Sequence, residues 1–168
     1  MRLEESEDTN FLHPLHPIFC CETKQNLKNL KTEKDGLDVL HEKLAGFVVP
    51  TSEERRHLYA MCNIDYKRYS RSVDGVLLFV DSVAKVRSTE DFQFIEVKTT
   101  KAKNVTELPY GVFFGFTQNE EDLFSTQSNY RLCIVHTVLK EFCLIDFNQY
   151  ESMIQNKRIQ YQINFKRK

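Results

Sequence analysis

Phe92-Gln93-Phe94-Ile95-Glu96-Val97-Lys98-Thr99-Thr100 is the stretch on which the rest of the chain turns. Its apolar residues, Phe92, Phe94, Ile95 and Val97, have the density of a β-strand. Glu96 and Lys98, two apart, must then project from the same face. A carboxylate and an ammonium fixed side by side on a rigid strand form a small charged platform. The bland reading is a solvent-facing ion pair, which contributes little. A second carboxylate beside it changes the chemistry, because two carboxylates can hold a divalent cation and leave room for water.

That carboxylate stands upstream. Val73-Asp74-Gly75-Val76-Leu77-Leu78-Phe79-Val80 is a β-rich run too apolar for an edge strand, so it is expected near the centre of the sheet. If it pairs antiparallel with the strand over 92–100, Asp74 comes beside Glu96. Asp74 before Gly75 is also a common turn arrangement, and Asp81 is the alternative ligand. Carboxylate oxygens from Asp74 and Glu96, with the peptide carbonyl of Val97, suit Mg²⁺ or Mn²⁺, which favour few protein ligands and several waters. Lys98 on the same face can orient an attacking water and balance charge on a phosphate. These groups are what metal-assisted phosphodiester hydrolysis requires.

The remaining segments fill in around this pair of strands. Leu37, Leu40, Leu44 and Phe47 fall at helical spacing and predict a short amphipathic helix ending before Val48-Val49-Pro50. Thr51 and Glu54 have capping-box spacing and open a helix expected to run to about Tyr69, burying Leu58, Met61, Cys62 and Ile64 or Tyr66. A third strand is expected over 111–116. Thr117 and Glu120 repeat the capping-box spacing and open a short helix to about Thr126. Strands are expected over 130–138 and 141–147, a helical or turn segment over 150–155, and a last strand over 159–165. Helices, a run of strands, a helix and more strands read as an α+β (mixed α/β) chain.

The chain has 168 residues, enough for one domain with a real core. Residues 1–36, with two prolines in Leu12-His13-Pro14-Leu15-His16-Pro17 and a lysine-dotted polar stretch, read as an N-terminal arm, and 37–168 as the domain. His13, His16, Cys20 and Cys21 lie close together, but the spacing lacks the separated ligand pairs of a zinc site. His136 reads as a satisfied core histidine. The formal net charge of -1 excludes bulk polycation binding to nucleic acid, so any such surface must be local. Lys101, Lys103, Arg55, Arg56 and Arg71 are the candidates for it. No apolar run reaches membrane-spanning length. The polar, acidic Met1 to Asn10 is unlike a secretory signal, and five cysteines suit reduced thiols. A cytoplasmic or nuclear, reducing location is therefore expected.

Asp74 followed by Phe94-Ile95-Glu96-Val97-Lys98-Thr99-Thr100 resembles the PD-(D/E)xK nuclease superfamily. More narrowly, Ile95 to Thr100, the aromatic run Phe113-Phe114-Gly115-Phe116-Thr117, an acidic helix and Tyr130 to His136 are similar to the nuclease-like C-terminal domain of NO VEIN-type and helicase-associated proteins. The likeness covers roughly residues 70–147, and Val73 stands where the motif's proline would be. It implies a restriction-endonuclease-like central mixed sheet flanked by helices and a Mg²⁺- or Mn²⁺-dependent endonuclease acting on nucleic acid, DNA in preference to RNA. Double-strand cutters of this kind often pair, so a homodimer or a larger protein assembly is among the expected partners. Members commonly add a helical Glu ahead of the Asp, for which Glu54 or Glu42 are candidates, Glu54 being favoured. Some place a polar active-site residue where Gln118 stands. The alternative is a nuclease-fold module without cleavage that binds nucleic acid or a protein partner.

Overall fold

The structure is a computed structural model that describes residues 19–159, with side chains from residue 31 onward. Helices α1 (Phe19–Lys43), α2 (Ser52–Met61), α3 (Tyr66–Tyr69), α4 (Gln118–Thr126) and α5 (Phe147–Met153) surround strands β1 (Phe47–Val48), β2 (Gly75–Leu78), β3 (Phe92–Thr100), β4 (Tyr130–His136) and β5 (Glu141–Ile145). Among the described residues the strands form one sheet in the order β1-β2-β3-β4-β5. Its first three strands run antiparallel in sequence, β3 and β4 are parallel, and β5 returns antiparallel. The chain is therefore α+β. Parallel strands cannot be joined by a tight turn; here the connection carries α4.

The sheet is buried on both faces. Ile95, Val97, Cys133 and Val135 point to one side, where Val39 and Leu40 of α1 cover them. Phe92, Phe94, Leu132 and Ile134 point to the other and pack with Leu58 and Tyr59 of α2 and Leu123 and Phe124 of α4. By the two-residue period, Glu96 and Lys98 share the face of Phe92 and Phe94. They lie beneath a covering layer instead of on an open platform.

Several expectations need correction. The helix expected over 37–47 is the end of α1, and the proposed division at residues 36 and 37 falls inside that helix. Gly36 does not break α1 because the helix needs it there: a Cβ at this position would sit 2.5 Å from Thr99 Cγ2 on β3. After α1 the chain turns through Gly46, at φ 85, and enters β1, where Val48-Val49-Pro50 by itself predicts only a break. The helix expected over 51–69 is two helices. It stops at Met61, Asn63 takes a left-handed conformation (φ 54), and Asp65 caps α3 by accepting from the Lys67 N–H at 2.9 Å. Leu58 and Ile64 are buried as expected, whereas Met61 and Cys62 are only half-buried.

Residues 111–116 form no strand. Their apolar alternation is real, since Val112, Phe114 and Phe116 pack on the core, but the segment has no pairing partner in the sheet. The last helix starts earlier than expected, because Asp146 and Gln149 form a capping box at its N-terminus. The strands expected over 130–138 and 141–147 start where the sequence placed them but end two residues earlier, at His136 and Ile145, and the capped helix ends at Thr126 as expected. The strand expected over 159–165, the His13, His16, Cys20 and Cys21 cluster and most of the arm lie outside the described residues or side chains. Among the described residues no helix is long and apolar enough to cross a membrane.

Candidate functional site

Asp74 is set by the register of the antiparallel pair β2–β3. Its N–H donates to the Ile95 carbonyl at 3.0 Å, and its Oδ2 accepts from the Val97 N–H at 2.7 Å. The side chain thus takes the ladder position that β2 vacates by beginning only at Gly75. A strand residue presents its N–H and C=O to the same neighbour, so the Val97 carbonyl faces the Asp74 side as well. The backbone ahead of Asp74 is fastened at three points. Tyr59 donates to the Tyr69 carbonyl at 2.9 Å, Arg55 to the Ser70 carbonyl at 3.0 Å, and Tyr130 to the Ser72 carbonyl at 2.6 Å. Two of these donors are hydroxyls of buried rings, so the loop carrying Arg71 and Asp74 is tied directly to the core.

Lys98 lies between two carboxylates. Its Nζ donates to Glu96 Oε1 at 2.7 Å and to Glu120 Oε2 at 3.1 Å, and stands 5.1 Å above the centre of the Phe116 ring. Glu120 is the N3 residue of the α4 capping box, so the same Oε2 also accepts from the Thr117 N–H at 2.7 Å. Glu96 is 3% exposed, and its second oxygen, Oε2, is buried with no hydrogen-bond partner. Such an atom costs of order 1–3 kcal/mol unless something pairs with it.

The electrostatics follow from this crowding. Burial, opposed by the Val97 N–H, pushes the Asp74 carboxyl up to about 6, and the charges of Glu33 and Glu120 add to the rise. Burial, reinforced by Asp74, holds the Glu96 carboxyl well above the usual range. Burial alone would lower the Lys98 ammonium, but Glu96 and Glu120 outweigh it and the net shift is upward. The strand's ion pair is therefore a buried, coupled cluster with a surplus of negative charge.

The cluster opens into a cleft of about 810 Å³ whose walls include Glu33 and Leu37 of α1, Arg55 of α2, Arg71, and the loop residues Phe113 and Phe114. Of the residues singled out in the sequence, Asp74, Glu96, Val97, Lys98, Arg55 and Arg71 meet here. The others do not. Glu54 closes its own capping box on Thr51 at 2.8 Å, and Glu42 pairs with Lys140 at 2.8 Å. Gln118 donates to Asp122 at 2.8 Å, and Asp81 pairs with Lys85. Lys101 bonds Asp35 at 3.0 Å, Lys103 is exposed, and Arg56 lies over the Tyr66 ring; none of the three lines the cleft. His136 is a satisfied core residue, with Nδ1 accepting from the Leu139 N–H and Nε2 donating to the Ala102 carbonyl.

Two residues were missed. Glu120 was read only as a cap, although its carboxylate faces two ways. Glu33 falls in the arm by sequence, although it lies on α1 and its charge reaches the Asp74 carboxyl. Its helical setting was hidden because Gly36 and the lysines around it read as a polar stretch.

The carboxylates are turned to Lys98 and to the Val97 N–H, and among the described residues no group of three or more His, Cys, Asp or Glu is disposed as a metal cage. The donor chemistry nonetheless fits a hard cation. Glu96 Oε2 is orphaned and buried beside Asp74, and two carboxylates with a carbonyl are the oxygen set that Mg²⁺ or Mn²⁺ accepts. Comparison with protein-family models, with curated proteins and with solved structures finds no match.

Proposed function

We propose that the chain is a metal-dependent nuclease that hydrolyses phosphodiester bonds of nucleic acid, DNA in preference to RNA. The observation that carries this is the buried, unpartnered Glu96 Oε2 beside Asp74 and Lys98 in an open cleft. Asp74, Glu96 and the Val97 carbonyl would hold Mg²⁺ or Mn²⁺. Glu33 takes the part of the helical Glu that the resemblance implies, in place of Glu54 or Glu42. When bound, the ion would supply positive charge to the phosphate and acidify the attacking water.

The chain's own groups do the rest. An ammonium has three donors; Glu96 and Glu120 engage two, leaving Lys98 one for the water or the phosphate. Arg55 and Arg71 neutralise the flanking phosphates from the wall of the cleft. Water adds to phosphorus as one P–O ester bond breaks; the water gives up its protons to solvent and the leaving oxygen takes one up from solvent, giving a phosphomonoester and an alcohol. The restriction-endonuclease-like assignment is supported by the strand-helix-strand crossover β3-α4-β4 that follows the Glu-x-Lys strand. Three free thiols among the described residues suit a reducing cytoplasmic or nuclear setting.

A specific observation favours the second reading, a non-cleaving module that binds nucleic acid or a protein partner. The Glu96–Lys98–Glu120 cluster already satisfies much of its own charge, and burial raises the Glu96 carboxyl above its usual range. The deciding experiment incubates the protein with single- and double-stranded DNA and RNA in Mg²⁺, Mn²⁺ or chelator, beside Glu96→Ala and Lys98→Ala, with melting curves for each variant. Metal-dependent cutting lost in both folded variants supports the enzyme. Binding that persists in both without any cutting selects the module.

A further inference from the structure

The connection between β3 and α4 is a 17-residue loop, residues 101–117, and loops of this length without regular structure inside a domain are commonly functional. It is pinned along its length. Val105 is buried, and Leu108, Val112, Phe114 and Phe116 pack against the core. Phe116 also stacks on Tyr150 with ring centres 5.8 Å apart. Phe113 is the exception: it is 94% exposed although both its neighbours in the alternation are held inward. A phenylalanine left in water is unremarkable by itself. Phe113, however, is among the residues lining the cleft that contains Asp74, Glu96 and Lys98, with Arg55 and Arg71 also on its walls.

We infer that Phe113 is a stacking platform for an unpaired nucleobase, and that the cleft takes single-stranded or splayed nucleic acid in preference to intact duplex. Aromatic faces bind bases of any sequence by stacking, whereas paired bases in a duplex keep their faces covered. The pinned residues on either side fix where the ring stands, so little ordering is needed on binding. Arg55 and Arg71 supply charge for the backbone of the strand whose base lies on the ring. The inference rests on the nucleic-acid reading of the cleft, active or inactive.

The test is fluorescence anisotropy with a labelled 12-mer oligothymidylate and a 12-base-pair duplex, in chelator so that nothing is cut, using the full chain. The wild type is expected to bind the single strand more tightly. Phe113→Ala is expected to weaken single-strand binding roughly 5- to 100-fold while leaving duplex binding within about 2-fold. Phe113→Trp is expected to retain it, and Phe113→Leu, apolar but not aromatic, to behave like the alanine variant. Equal loss on both substrates, or no effect of Phe113→Ala, overturns the inference. So does a concentration-dependent dimer in sedimentation that Phe113→Ala abolishes, because a second copy then covers the ring. Metal-dependent cleavage of single strands untouched by Phe113→Ala would sink the stacking role and leave the nuclease standing. Single-strand binding lost in Phe113→Ala, in a protein that never cuts, would do the reverse.

Discussion

Lys98 Nζ lies 3.1 Å from Glu120 Oε2, which also accepts the Thr117 N–H at 2.7 Å. One oxygen thus joins the N-terminus of α4 to the ammonium on β3, and the crossover that makes β3 and β4 parallel also holds the site's cation. The two jobs can be separated. Glu120→Gln keeps an acceptor for Thr117 but removes the charge, so the melting temperature should hardly move. Cleavage should fall roughly 10- to 100-fold, as when a group that orients a catalytic residue is altered. The alkaline limb of the pH–rate profile should move to lower pH, because Glu120 is one of the two charges that raise Lys98. Glu120→Ala should in addition cost about 1 kcal/mol of stability through the lost cap. An unchanged pH profile in the glutamine variant would reduce Glu120 to a cap.

Glu33 and Glu54 make a matched pair for testing which helix serves the site. Glu33→Gln is expected to lower metal-dependent cleavage at least about 10-fold and weaken Mn²⁺ binding in titration calorimetry, with stability unchanged. Glu54→Gln should cost at most about 1 kcal/mol through its capping box and leave the rate alone. Cleavage lost in Glu54→Gln and kept in Glu33→Gln would restore the choice made from sequence.

Local signals were the legible ones. The strand over 92–100 and the Thr117–Glu120 box need only neighbours along the chain, and both stand as read. Asp74 beside Glu96 needed one further assumption, antiparallel pairing, and the register supplies it. Where long-range packing decides, the sequence misled. Residues 111–116 alternate because they pack on the core and not because they pair. Gly36 punctuates nothing, since it is there to let α1 approach Thr99. Glu33 was hidden with it, because a helix whose first half is polar announces itself only through the sheet it later covers.

The approach of α1 to β3 is itself testable. Alanine favours a helix over glycine by about 1 kcal/mol, so Gly36→Ala at an open position would stabilise. Here the new Cβ would lie 2.5 Å from Thr99 Cγ2 and 3.4 Å from Val97 Cγ1. Threonine is stiff at χ1, and the expected outcome is a net loss of roughly 1–3 kcal/mol in urea unfolding. Thr99→Ser removes the offending methyl, so the double variant should recover about 1 kcal/mol or more beyond additivity. Additive effects would mean that α1 shifts freely on the sheet.

The raised carboxyls give the metal-free protein an unusual pH dependence. Asp74 has an ordinary value of 3.8 and stands at about 6 when folded, so the folded state holds its proton more tightly than the unfolded chain. Its contribution to stability is fully present below about pH 4 and is lost as pH rises through about 6. At about 1.4 kcal/mol per pH unit, the loss is on the order of 3 kcal/mol, and Glu96, also raised, adds in the same direction. Asp74→Asn should therefore stabilise the metal-free chain at pH 8 and do little at pH 4. Mg²⁺ or Mn²⁺ should raise the wild-type melting temperature at pH 8 far more than at pH 5, since the ion competes with protons for the same oxygens. Equal metal stabilisation at both pH values, or a loss of stability in Asp74→Asn at pH 8, would place the cation away from Asp74 and Glu96.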